Sequence, residues 1–167
     1  MIMSRNELIK SFLPNAVLMP LTTAAEKSIL NTQTQNKVIP MFEFPFKVGR
    51  ESRMDQNDRG LFVKLRILSS ISNPNNDIYL INNTENLEIS KEHFQIEKKD
   101  DIYFIKDRKS TLGTKLNDKE IGSTSHTLED KDIIKIGSSD SKYEFQFKSF
   151  FFYFYLFSII INIKLEL

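Results

Sequence analysis

The chain has 167 residues, and its 23 Lys+Arg against 22 Asp+Glu leave a formal charge of +1, which excludes nucleic-acid binding driven by bulk charge. Without cysteine it can hold no disulfide framework, thiolate nucleophile or cysteine-type zinc site. His93 and His126 are the only imidazoles, and the five glycines form neither a dinucleotide fingerprint nor a P-loop. No metal, no cofactor and no enzymatic activity are therefore expected. Forty per cent hydrophobic residues can fill the core of one domain with appendages.

In chain order, Arg5 and Glu7 interrupt the first apolar stretch and Pro14-Asn15 ends it. No secretion signal is expected, which points to a cytoplasmic setting. Thr23-Ala24-Ala25-Glu26 matches a capping box, predicting a helix from there to about Leu30. From Lys37 onward short apolar runs alternate with polar residues between Asn, Asp, Pro and Gly clusters, which is strand punctuation. The predicted strands are Val38–Val48, Leu61–Leu68, Asp77–Ile81, His93–Glu97, Ile102–Asp107, Thr114–Leu116, Ile133–Ile136 and Tyr143–Phe147. Short strands at turn-limited spacing predict an all-β fold, an antiparallel sandwich or barrel, in preference to a β-α-β sheet.

Three segments are bounded as residues 1–37, an extension with a short helix; 38–148, the β-sandwich; and 149–167, an apolar tail. Only Ser158 and Asn162 interrupt the apolar run over 150–163. As a helix those residues would reach roughly 21 Å, short of the ~30 Å hydrocarbon core of a bilayer. A β-rich segment packed on the domain, an aggregation-prone extension, or a tail outside the folded unit is the preferred reading over a membrane anchor.

Hydroxyl residues, or Gly with Arg, stand at strand edges in Phe46–Arg50, Ile89–Phe94 and Asp107–Asn117. Loops at one end of a sandwich can bring such residues together, and the converging set is Arg50, Ser90, Lys91, Ser110 and Thr111. One guanidinium, one ammonium and three hydroxyls without an evident base match a phosphoryl group, with its charge of about −1.5 to −2 and three acceptor oxygens. Each element has a plainer role as well. Arg50 alone reads as a solvated strand end, Ser90 and especially Ser110 as turn caps, and His93 as a hydrogen-bonded structural histidine. His126 reads as an exposed loop residue. Asp55/Asp58, Asp100-Asp101 and Asp130/Asp132 read as turns, and Lys106, Arg108 and Lys109 as a solvated face.

Taken in order, Gly49-Arg50, Ser90-Lys91-Glu92-His93, Ser110-Thr111-Leu112-Gly113-Thr114-Lys115-Leu116-Asn117 and the run from Leu128 to Gly137 resemble the forkhead-associated (FHA) domain. The resemblance covers roughly Val38 to Phe147 and implies an eleven-stranded β-sandwich that binds phosphothreonine peptides through loops at one end. It implies that Arg50 and Ser90 contact the phosphate, that Thr111 contacts the phosphothreonine or adjoining peptide, and that Lys91 supplements them. Gly49, His93, Gly113, Thr114 and Asn117 would support those loops. Ser110 and Leu112 complete the expected phosphopeptide-binding set, although Leu112 stands where many members carry the Asn that bonds the peptide main chain; Glu51 to Asn76 resembles an insertion, and Lys131 replaces a usual turn glycine. The expected function is non-catalytic recruitment of a partner carrying phosphothreonine. The alternatives are a phosphorylation-independent scaffold of the same fold, or a membrane-associated adaptor held by its Phe-rich tail.

Overall fold

The structure, a computed structural model, describes residues 12–30, 37–57, 60–63 and 75–150. Thirteen strands and one short helix occur among the described residues. One sheet has six strands in the order β10-β9-β12-β13-β1-β2, formed by Lys119–Ile121, Thr114–Leu116, Ile133–Ile136, Tyr143–Ser149, Ala16–Pro20 and Ile39–Met41. The facing sheet has the order β11-β8-β7-β3-β6, formed by His126–Leu128, Ile102–Asp107, Phe94–Lys99, Phe46–Arg50 and Ile78–Leu80. β4 (Met54–Asn57) and β5 (Gly60–Val63) make a separate antiparallel hairpin within the insertion. The fold is thus the expected all-β sandwich, with eleven strands in its two main sheets.

Alternation along each strand creates the core. In β13 Tyr143, Phe145 and Phe147 are buried while Glu144 and Gln146 stay partly exposed, and β8 buries Tyr103, Ile105 and Asp107. Tyr103 and Phe147, from opposite sheets, meet edge-on with ring centroids 5.0 Å apart. The Tyr103 hydroxyl donates to Asn15 O at 3.1 Å, and burial pushes its pKa up to about 12.

Several elements differ from expectation. β1 lies between β13 and β2, so the sandwich takes a strand from the segment set apart as an extension. Its Ala-Val-Leu stretch is buried by neighbours more than twenty residues away, whereas the flanking Pro14 and Pro20 read locally as breakers. The expected Val38–Val48 strand is two strands in different sheets, β2 and β3. β10 and β11 were not predicted, and His126 belongs to β11, opposite Ile105, instead of a loop. β3 pairs with β6 in parallel, an exception to the antiparallel expectation that the long intervening segment permits. The helix α1 (Thr23–Ser28) is capped by Thr22, whose Oγ1 accepts from Ala25 N at 3.1 Å, one residue before the capping box predicted it.

Turns set the registers. Asp100, at φ +55°, closes the two-residue β7–β8 hairpin, so Lys99 faces Ile102 and Phe94 faces Asp107. Asn117 and Asp118 both have positive φ and close the β9–β10 hairpin, as a two-residue turn of this hand requires. Lys131 holds φ +75° at the position where glycine is usual. Lys131→Gly is therefore expected to stabilise the domain by about 0.5–1 kcal/mol, read as a higher denaturation midpoint. No helix among the described residues is long and apolar enough to cross a membrane. The apolar tail beyond residue 150, with every reading given to it, lies outside the described residues.

Candidate functional site

Three loops meet at one end of the sandwich: the chain leaving β3, the β6–β7 loop and the β8–β9 loop. At the end of β3, Arg50 N donates to Ser90 O at 2.9 Å and Arg50 Nε donates to Ile89 O at 2.8 Å. The guanidinium is thus clamped at one edge, and no described residue accepts from its two Nη groups. Gly49 makes this approach close. A Cβ there would lie 2.1 Å from Lys91 O and 2.5 Å from Asn76 Nδ2.

Ser90 and Thr111, 21 residues apart, form the next contact. Ser90 Oγ accepts from Thr111 N at 2.9 Å and donates to Thr111 Oγ1 at 3.3 Å. His93 joins the same two loops from beneath. Ser90 N donates to His93 Nδ1 at 2.8 Å, so that nitrogen must be an acceptor, and the Nε2 proton is free to donate to Gly113 O at 2.9 Å. The ring is fully buried, and burial, outweighing the bond to Gly113 and the charges of Asp107 and Glu88, holds its pKa below the usual 6.5. It is a neutral brace. Asp107, also buried, accepts from Ser110 N (2.7 Å), Ser110 Oγ (2.6 Å) and Thr114 Oγ1 (2.7 Å), which ties the β8–β9 loop to β9.

An open depression of about 530 Å³ results, lined by Arg50, Leu87, Ile89, Ser90, Lys91, Glu92, Arg108, Lys109 and Thr111. It offers donors and positive charge, and its one carboxylate, Glu92, is bonded by Arg108 Nη2 at 2.7 Å. The family model for the FHA domain matches residues 47–137, more than half of the chain and the segment that carries all three loops. The chain belongs to the FHA domain family.

Solved structures similar to it include the FHA domain of an Arabidopsis thaliana hypothetical protein, at 20% identity over 82% of this chain and 86% of that one, with a TM-score of 0.48. Full-length yeast Pml1p is similar at 19% identity over 80% of each chain, TM-score 0.49. Mycobacterium tuberculosis EmbR, in complex with a low-affinity phosphopeptide, is similar at 21% identity over 81% of this chain, TM-score 0.47. The chain spans only 24% of EmbR. No curated protein sequence matches it.

Of the residues expected in the site of this FHA domain, Arg50, Ser90, Lys91 and Thr111 line the depression together. Ser110 does not line it, because its hydroxyl is turned onto Asp107 in a cap. Leu112 is 42% exposed and also stands outside the lining. Gly113, at φ +81°, allows the turn that presents its carbonyl to His93. Thr114 braces the loop through Asp107. Asn117, expected among the loop supports, sits at the other end of β9, where its side chain bonds Asp132 Oδ1 (2.7 Å) and Ile133 N (2.9 Å). Its left-handed turn position accounts for an Asn there.

Asn76 and the Glu92–Arg108 pair were missed. Asn76 is buried beside Gly49, donates to Lys91 O at 2.8 Å and accepts from Arg108 Nη1 at 2.7 Å. No local pattern marks it, since the parallel β3–β6 pairing brings it there. The hairpin register does not mark the Glu92–Arg108 pair either: extended from Asp100-Asp101 it sets His93 opposite Arg108 and Glu92 opposite Lys109, so only the path of the chain beyond the β7–β8 ladder brings Glu92 to Arg108.

Proposed function

We propose that this FHA domain is a non-catalytic module that recruits a partner carrying phosphothreonine. FHA domains generally bind phosphothreonine peptides. The observation that carries the reading here is Arg50, clamped through Nε with both Nη groups unclaimed by described residues, in one depression with the bonded Ser90–Thr111 hydroxyls and with Lys91. A guanidinium held in place before the ligand arrives binds phosphate at little ordering cost, and charge-assisted bonds to it are the strong ones. The lining supplies donors without a free base, since His93 is buried with both nitrogens bonded and Glu92 is paired. That chemistry suits binding, not turnover.

The test is calorimetric titration of the full chain with matched threonine, phosphothreonine and phosphoserine peptides. Phosphothreonine binding is expected to weaken with added salt. Loss of the methyl in phosphoserine is expected to cost about tenfold or more, as one methyl-sized group in an apolar contact does. Arg50→Ala is expected to reduce phosphothreonine affinity by about thirtyfold or more, from the loss of bonds to a charged group. Unchanged affinity in Arg50→Ala would remove this site from the reading.

A further inference from the structure

We propose that the depression selects phosphothreonine peptides with an acidic residue close to the phosphothreonine, its carboxylate held by Lys109 and Lys91. This rests on the phosphothreonine reading and adds the chemical class of the partner. Four cations, Arg50, Lys91, Arg108 and Lys109, line the depression with one carboxylate, Glu92. That local surplus of three positive charges exceeds the +1 carried by the entire chain. Arg108 and Glu92 neutralise each other at 2.7 Å. Asp107, two residues before Lys109, is buried, stands outside the lining and accepts three bonds from Ser110 and Thr114.

A phosphothreonine supplies about −1.5 to −2 near neutral pH. Set against Arg50, Lys91 and Lys109, it leaves about one positive charge uncompensated at the rim. One carboxylate on the peptide matches that remainder, whereas a lysine or arginine there would be repelled. Lys109 and Lys91 are the groups placed to receive it. Both are exposed, both line the depression, and neither has a salt bridge among the described residues. Lys109 is also held in position by the backbone. Its φ of +61° is enforced between Arg108 N, which donates to His93 O at 2.8 Å, and Ser110, capped onto Asp107.

The experiment titrates the full chain with three phosphothreonine peptides of one length, whose flanking positions carry Glu, Gln or Lys, and with the unphosphorylated Glu peptide. Binding is read at low and at physiological salt. The Glu phosphopeptide is expected to bind about three- to fivefold tighter than the Gln one, the size of one partly exposed ion pair, with a larger gap to the Lys peptide. In Lys109→Glu the order of the Glu and Lys phosphopeptides is expected to invert. Equal affinities for all three phosphopeptides would overturn the selectivity and leave phosphothreonine binding standing. A Glu preference that survives in Lys109→Glu would overturn the assignment to that lysine. Failure of every phosphopeptide to bind would overturn the functional reading itself, and tight binding of the unphosphorylated Glu peptide would do the same.

Discussion

Gly49→Ala is expected to destabilise the domain by about 3–5 kcal/mol, beyond the usual range for one added methyl in a packed region. The added Cβ would stand 2.1 Å from the Lys91 carbonyl oxygen, and backbone has no rotamer with which to withdraw. Three sets of bonds hold that carbonyl and the glycine in place. Asn76 Nδ2 donates to Lys91 O, Arg50 N donates to Ser90 O, and His93 N donates to Val48 O. On the other side Gly49 faces Tyr79 in the parallel β3–β6 pairing. Relief must come from parting β3 from the Ser90–Lys91 loop, the same contact that clamps Arg50. Thermal unfolding is expected to shift down by about 10 °C or more, and phosphothreonine affinity is expected to fall even at temperatures where the variant remains folded. A Gly49→Ala protein with parental melting and affinity would mean that the two segments are not locked together as described.

His93→Ala is the second large effect, expected at about 3–5 kcal/mol. Removing the ring leaves Ser90 N–H and Gly113 C=O without their buried partner, at about 1–3 kcal/mol each, and opens a cavity besides. The imidazole also makes stability depend on pH. In the unfolded chain it titrates near 6.5, whereas burial holds the folded group lower, because a proton on Nδ1 would face the Ser90 N–H. Above pH 6.5 both states keep it neutral and its contribution is complete. As pH falls below 6.5 the unfolded state takes up the proton first, so stability declines until the lower folded pKa is reached. Urea midpoints without peptide, measured between pH 5 and 8, are expected to fall more steeply on the acid side in the parent than in His93→Ala. Omitting peptide matters, since the phosphate titrates near pH 6 as well. Parallel curves for parent and variant would show that the buried ring is not the titrating group.

Some features of this chain were legible because they are local. Alternation in Ile102–Asp107 and Tyr143–Phe147, and the turn residues between runs, specify strands and their buried faces wherever period 2 and a turn signal coincide. The positions of Gly49-Arg50, Ser90 and Ser110-Thr111 at strand edges are likewise local, and their loops do meet at one end. The hairpin at Asp100-Asp101 carries its register in two residues.

Pairing between distant segments is a different kind of information, because one strand's hydrogen-bonding edge is chemically like another's. Nothing within Ala16–Pro20 states that it fits between β13 and β2, and only burial by both makes that short run a strand. The same holds for Asn76, an ordinary loop residue until β6 lies beside β3 and sets it against Gly49, Lys91 O and Arg108. Ser110 and Ser90 are the same residue type at similar strand edges, yet one hydroxyl is turned onto Asp107 and the other toward Thr111. Composition and order thus determined an all-β chain with phosphate-suited donors on its loops. Tertiary structure decided which donors share the depression, because a side chain's direction depends on its bonding partners, and those come from other strands.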